Sequence, residues 1–238
     1  MSKYIWLIRH GESQGNLERR IQGWGDYPLT GQGRGQAQQL AAWLAELASP
    51  DSQASAYLPL GWSRHGRGEG TIHELIASPL QRAAETARII GAALNLPVRL
   101  DPRLKEYNFG PLNGLTPDEV VARFPEVRAA WEVNRPWDPL PGEEGEPDFV
   151  ARVRAAMDEI LAGMDDETSV AVVAHGGSID ACLRSWLGID HRDGRRAFAF
   201  DNASLSLVRI RAGSYRILLL NDTCHLRCAQ EGRANDPG

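Results

Sequence analysis

The run Arg9-His10-Gly11-Glu12-Ser13-Gln14-Gly15-Asn16 places a guanidinium beside an imidazole, a pair suited to an oxyanion. An arginine fork can hold two phosphate oxygens while a neutral histidine ring attacks phosphorus. Gly11 lets backbone N–H groups come close to a ligand, and the Asn16 amide offers another donor. Taken alone, a histidine after a strand is more often a turn residue held by its own hydrogen bonds. Three further stretches shift that balance. Arg82 falls in the first turn of a helix announced by Ser78-Pro79, and a helix N-terminus already attracts anions. Glu106, within Leu104-Lys105-Glu106-Tyr107-Asn108-Phe109-Gly110, is a carboxyl group of the kind that protonates a leaving oxygen and then activates water. His175-Gly176-Gly177 supplies a second histidine. If cationic, it stabilises the equatorial oxygens of a phosphoryl transition state, with the Gly176 N–H as an additional donor.

These residues need rigid supports at the right places. Tyr4 to Ile8 is a short apolar run ending near Arg9, and Ser169 to Ala174 is an almost wholly apolar run ending at His175. The first reads as a buried strand and the second as a central strand covered on both faces. Thr30 is a plausible cap for a helix carrying Ala37, Leu40, Ala41, Leu44 and Leu47, although Gly31, Gly33 and Gly35 weaken its first turn. Ser78 as cap and Pro79 as first helical residue start a helix burying Ala83, Ala87, Ile90 and Leu94, followed by a strand at Val98 to Leu100. Thr116-Pro117 repeats the start signal. A loop from Pro136 to Pro147 leads into a helix with Phe149, Val150, Val153, Met157, Ile160 and Leu161 on its apolar stripe. A helix follows His175 as far as Gly188, and strands at Leu205–Ile210 and Tyr215–Leu220 pair around Gly213. Alternating strands and helices imply an α/β fold with a mostly parallel sheet, where ligands bind beyond the carboxyl ends of strands. Both histidines stand at such ends.

Composition narrows the partners. The chain has 238 residues, 42% of them hydrophobic, enough for one large domain with a sizeable core. A net charge of −5 gives no basic footprint for nucleic acid, so a small anion must be captured by a local cationic site. No apolar run reaches the roughly 18 residues that a membrane span needs. Three cysteines do not make a disulfide framework, which points to the cytoplasm. The expected organisation is a domain over 1–228, with an insertion over 49–70 and a flexible tail over 229–238.

Together the motifs closely resemble the histidine phosphatase superfamily, also called the phosphoglycerate mutase-like family. The resemblance is carried by Arg9-His10-Gly11-Glu12-Ser13-x-x-Asn16, Ile21-Gln22-Gly23-Trp24, Pro28-Leu29-Thr30 and Ser78-Pro79-Leu80-x-Arg82-Ala83. Glu106-x3-Gly110-x3-Gly114, Val173-Ala174-His175-Gly176-Gly177 and Asn221-Asp222-Thr223-x-His225-Leu226 continue it. The resemblance implies a three-layer α/β/α sandwich around a mostly parallel mixed sheet. It also implies a His10 nucleophile that becomes phosphohistidine, with Glu106 as acid and then base. Arg9, Asn16, Arg82, His175 and Gly176 would form the phosphate pocket, and Ser13, Gln22 and Gly23 would contact substrate. No metal or other cofactor is expected, and the expected partner is a small phosphorylated metabolite. An antiparallel edge strand offers a surface for a homodimer, which nothing in the sequence requires.

Similar motifs elsewhere are weaker. Arg64-His65-Gly66 repeats three letters of the first motif in a Gly/Arg-rich loop with no strand behind it. Cys224-His225-x2-Cys228 lacks the fourth ligand zinc usually takes and reads as a structural thiol. His73 and His191 have no evident partners, and Trp131 and Trp137 line a lid or pack beneath the Pro-rich loop. Cofactor-dependent mutases of the family carry a lysine eleven residues after the acid, where this chain has Pro117, and an Arg-Arg pair beyond it. Only Arg128 and Arg135 occur between Phe124 and Pro141, which favours hydrolysis. Against that, Gly110-Pro111-Leu112-Asn113-Gly114-Leu115 looks more mutase-like. A third reading is an idle member that binds phosphorylated partners, and the presence of both His10 and Glu106 argues against it.

Overall fold

The computed structural model describes residues 2–49, 71–133, 138–190 and 196–227, without the Trp131 side chain. The expected insertion, the tail, the second Arg-His-Gly, His191, Cys228, Arg135 and Trp137 therefore lie almost wholly outside the described residues. Strands β1 (Lys3–Arg9), β2 (Glu74–Ala77), β3 (Val98–Leu100), β4 (Ser169–Ala174), β5 (Leu205–Arg211) and β6 (Ser214–Asp222) form one sheet in the order β3-β2-β4-β1-β5-β6. β3, β2, β4 and β1 run parallel, whereas β5 and β6 are antiparallel additions at one side. The sheet is mixed, as expected.

β4 is buried at all six positions, as a strand covered on both faces must be. The covers are helices. On one face α2 (Gly31–Leu47) and α3 (Gln81–Leu94) seat Leu40, Leu44, Ala83, Ala87 and Ile90 against Trp6, Ile8 and Val173. On the other, α6 (Glu146–Gly163) and α7 (Gly176–Leu187) seat Phe149, Val153, Met157, Ile160, Ile179 and Leu183 against Ile5, Leu7 and Val172. Alternate residues of β1 thus feed opposite cores, giving three layers. Short helices α1 (Gln14–Leu17), α4 (Pro117–Arg123) and α5 (Pro125–Glu132) complete the set used below.

Two helix starts are informative. Thr30 caps α2 through Gly33 N–H at 3.0 Å, so the helix begins at Gly31 despite its glycines. Ser78 does not cap α3. The helix begins at Gln81 behind Leu80, which makes no side-chain cap bond, and the Ser78 hydroxyl instead lies 2.8 Å from His175 Nε2. The cap-plus-proline signal located the helix but misassigned the serine, because a buried partner on β4's exit outcompetes the local backbone. Thr116 does cap α4, in a reciprocal box with Glu119.

Candidate active site

β1 and β4 are adjacent and parallel, with Arg9 opposite Ala174, so their exits put the two histidines side by side. The ring centroids of His10 and His175 are 5.2 Å apart. His10 is pinned by backbone bonds on both sides, its N–H to Ala174 O at 3.1 Å and its carbonyl accepting from Ala203 N–H at 3.0 Å. Its Nδ1 lies 2.7 Å from the Gly11 carbonyl. A carbonyl can only accept, so Nδ1 carries the proton and Nε2 keeps its lone pair. Burial, reinforced by the Arg82 and Arg9 charges, holds the His10 imidazole well below its ordinary range and therefore neutral at pH 7.

An open cavity of about 220 Å3 lies over these strand ends. Of the expected site residues, Arg9, His10, Asn16, Gln22, Gly23, Arg82, Glu106 and Gly176 line it. Ser13 and His175 stand one layer behind. Ser13 caps α1, and its hydroxyl lies 2.8 Å from Asn16 Oδ1 and 2.7 Å from Gln22 Oε1. Asn16 Oδ1 also accepts from Ser13 N–H and from Asn202 Nδ2, each at 3.1 Å, which leaves the Asn16 amide N–H groups for the cavity.

The two arginines are held by carbonyls rather than carboxylates. Arg82, 1% exposed, donates from Nη1 to Gly25 O and from Nη2 to Gly23 O, both at 2.8 Å. Arg9 Nη1 donates to Phe200 O. In both, the buried Nε–H has no partner among the described residues, and neither has His175 Nδ1. Orphaned buried polar groups cost about 1–3 kcal/mol each, so the two guanidinium N–H groups favour a site that receives an anion. Burial lowers the Arg82 guanidinium to about 10 against the opposing pull of Glu106. It remains a cation at pH 7. His175 does not fit a cationic role in this state. Burial, with Arg82 and His10 beside it, pushes its pKa well below the usual value, so its ring is neutral.

Glu106 is fastened at both oxygens. Oε1 accepts from Tyr107 N–H at 2.8 Å and Oε2 from Gly177 N–H at 3.0 Å, at the start of α7. Arg152 on α6 brackets the backbone beneath it, donating to Arg103 O, Lys105 O and Glu106 O at 2.7–2.8 Å while paired with Glu144. Trp24 Nε1 reaches the same Glu106 carbonyl at 2.8 Å. Arg20, Ile21, Phe109 and Arg196 also line the cavity without having been expected there. Arg195-Arg196 is an adjacent arginine pair visible in the sequence, but it lies beyond α7 rather than between Phe124 and Pro141.

The family model of the histidine phosphatase superfamily (branch 1) matches residues 5–58 and 65–223, breaking within the stretch read as an insertion. The chain belongs to the histidine phosphatase superfamily. A probable phosphoglycerate mutase of Yersinia enterocolitica is 32% identical over 93% of this chain and 94% of its own length. A bifunctional protein of Mycobacterium tuberculosis is 33% identical, and this chain spans 54% of it. Among solved structures, a putative α-ribazole-5′-P phosphatase of Escherichia coli superposes with a TM-score of 0.74 at 26% identity, covering 93% of this chain and 97% of that one. A mycobacterial glucosyl-3-phosphoglycerate phosphatase, solved with VO3, gives 0.71 at 29% identity over 92% and 98%. The superfamily thus contains both phosphatases and relatives named as mutases at similar distances from this chain.

Outside this site, His73 is partnered, its Nδ1 accepting from Ser169 N–H at 3.1 Å. Cys224 is exposed and Cys182 buried, and no group of three His, Cys, Asp or Glu side chains fit to hold a metal occurs among the described residues. No helix among them is long and apolar enough to cross a membrane.

Proposed function

We propose that this member of the histidine phosphatase superfamily hydrolyses a small phosphomonoester through a phosphohistidine formed on His10. The observation that supports the reading is the 2.7 Å contact of His10 Nδ1 with the Gly11 carbonyl, which leaves Nε2 with a free lone pair in a ring that burial keeps neutral. In the proposed route Arg9, Arg82 and Asn16 hold the phosphoryl oxygens, with the Gly176 N–H and the His175 ring beside them. Glu106 delivers a proton to the leaving oxygen and then takes one from the attacking water. Gln22 and Gly23 touch the alcohol portion, and Ser13 acts by holding Asn16 and Gln22. The route uses no metal ion. Transfer to a second hydroxyl instead of water is the alternative, favoured by the name of the Yersinia relative.

One rapid-quench experiment with 32P-labelled 3-phosphoglycerate, with and without 2,3-bisphosphoglycerate, tests both. An acid-labile, base-stable phosphoenzyme should appear and should vanish in His10→Ala. Label released as free phosphate supports hydrolysis, and label in 2-phosphoglycerate supports the mutase. A wild-type enzyme that turns over phosphomonoesters with no such intermediate would sink the mechanism.

A further inference from the structure

Two buried imidazoles stand 5.2 Å apart at the strand ends, and each has one nitrogen held by a neighbour. At His10 the neighbour is a carbonyl, which can only accept, so Nδ1 keeps the proton and Nε2 the lone pair. At His175 it is a hydroxyl, Ser78 Oγ at 2.8 Å from Nε2, which can give or take.

The surroundings of Ser78 decide between giving and taking. The residue follows β2 fully buried, with its backbone N–H held by Val173 O of β4 at 3.0 Å. Its Oγ already accepts from Leu80 N–H at 3.4 Å. Among the described residues the hydroxyl proton has no acceptor besides His175 Nε2. If Nε2–H donated instead, that proton would be buried without a partner, which folded proteins avoid. The hydroxyl therefore donates and Nε2 accepts. Burial, with the Arg82 charge beside it, keeps the ring neutral, and a neutral ring accepting at Nε2 carries its proton on Nδ1. That Nδ1 is buried without a partner among the described residues, as are the Nε–H groups of Arg9 and Arg82. It adds a third N–H to the two guanidinium groups around His10.

We propose that Ser78 is a positioning residue that sets the tautomer of His175, so that the ring offers its Nδ1–H to a phosphoryl oxygen. The contact with oxygen rests on the phosphomonoesterase reading above; the tautomer does not. The two histidines divide the chemistry by the kind of neighbour each is given. A carbonyl acceptor leaves His10 a lone pair for phosphorus. A hydroxyl donor leaves His175 an N–H for oxygen. No proton changes hands along this chain of hydrogen bonds, and each group keeps its own.

The test starts on the free protein with 15N-labelled histidine, the His175 ring being identified by its loss in His175→Gln. At pH 7 long-range 1H–15N spectra should show that ring protonated on Nδ1 alone. Ser78→Ala removes only the oxygen and should move His175 wholly or partly to the Nε2–H form, while His10 stays on Nδ1–H. With p-nitrophenyl phosphate, whose leaving group departs readily without a proton, the same variant should lower kcat about 10- to 100-fold. A wild-type His175 protonated at Nε2, or at both nitrogens, overturns the proposal. So does a Ser78→Ala ring still wholly on Nδ1–H, which would reduce Ser78 to packing. Inorganic phosphate titrated into the wild type should shift the His175 Nδ1–H and Arg82 Nε–H signals together. A shift at Arg82 without one at His175 overturns the contact with oxygen. A shift at neither, with no phosphate release by the wild type, overturns the phosphomonoesterase reading, and the spectra of the free protein still decide the role of Ser78.

Discussion

A carboxylate positioned by hydrogen bonds at both oxygens is only as well placed as the backbone that donates them. Gly177 gives Glu106 one of those bonds, and it must be glycine for a second reason. A Cβ there would lie 2.1 Å from Glu106 Oε1. The obstructed atom is the tip of a side chain, so Gly177→Ala should move the carboxyl rather than break the fold. Misplacement by about 1 Å can cost on the order of 100-fold in rate. We expect kcat to drop by about that factor with the melting temperature nearly unchanged, measured by steady-state kinetics alongside calorimetric melting. A proportionate fall in melting temperature would instead assign Gly177 to packing. At this scale the sequence revealed the residues that sit at strand ends and helix starts, His10, Arg82 and His175, because those positions are themselves signalled by local patterns. Glu106 was legible through its family context. Arg152 and Arg196 were not legible. Arg152 stands beside the apolar stripe of α6 without any spacing that points to Glu106, and Arg196 lies at the cavity where the N–H groups of Ala197 and Phe198, just after it, are held by Asp180. The one available signal was an aspartate between Ile179 and Ala181 on a helix that otherwise carries only Ser178, Arg184 and Ser185 as polar side chains, a residue type seldom buried without a specific partner.

Among the elements, α2 shows how a weak local sequence can be required by its neighbour. Gly31, Gly33 and Gly35 lower the helix propensity of its first turns. Gly33 nevertheless has a packing reason, since a Cβ there would fall 1.9 Å from the Glu12 carbonyl, and the Gly11 Cβ position lies 2.5 Å from Gly33 O. Backbone meets backbone, so the loop after His10 rests directly on the start of α2. Gly35 has open space around it. Gly35→Ala should therefore stabilise the protein by roughly 0.5–1 kcal/mol, while Gly33→Ala should destabilise it by about 1–3 kcal/mol. Urea denaturation of the two variants checks the contrast. Equal gains would mean that the contact between loop and helix yields easily. The helical stripes and the central strands were readable from periodicity and apolar runs, and their bounds fall close to those read from the sequence. The role of Ser78 was not, because a local capping pattern carries no information about a histidine 97 residues away.

For the molecule as a whole, three buried histidines link stability to pH. His10, His175 and His225 are 3%, 1% and 4% exposed, and burial lowers the pKa of each, that of His225 to about 4. An unfolded histidine titrates near 6.5. Between the folded and unfolded values the unfolded chain binds more protons, so stability is full above about 6.5 and is lost as the pH falls through that window. For His225 the window runs from about 6.5 down to about 4. Each such group contributes at most about 1.4 kcal/mol per pH unit. His225→Phe keeps an aromatic ring against Trp43, 6.2 Å away, and should flatten the pH dependence of the unfolding free energy by up to one proton. An unchanged slope between pH 4.5 and 6.5 would refute the assignment. The sheet order has its own consequence, one that concerns the making of the protein. Both neighbours of β1, β4 and β5, lie far downstream of it. From Arg9 to Ser169 is 160 residues, which a ribosome adds in roughly 8–30 s at about 5–20 residues per second. Throughout that interval the first strand has no partner, and the loop carrying His10 emerges well before the strand that brings His175. An unfinished chain therefore lacks the paired strand ends that bring His10 and His175 together, and the cavity over them is complete only once translation has passed β5.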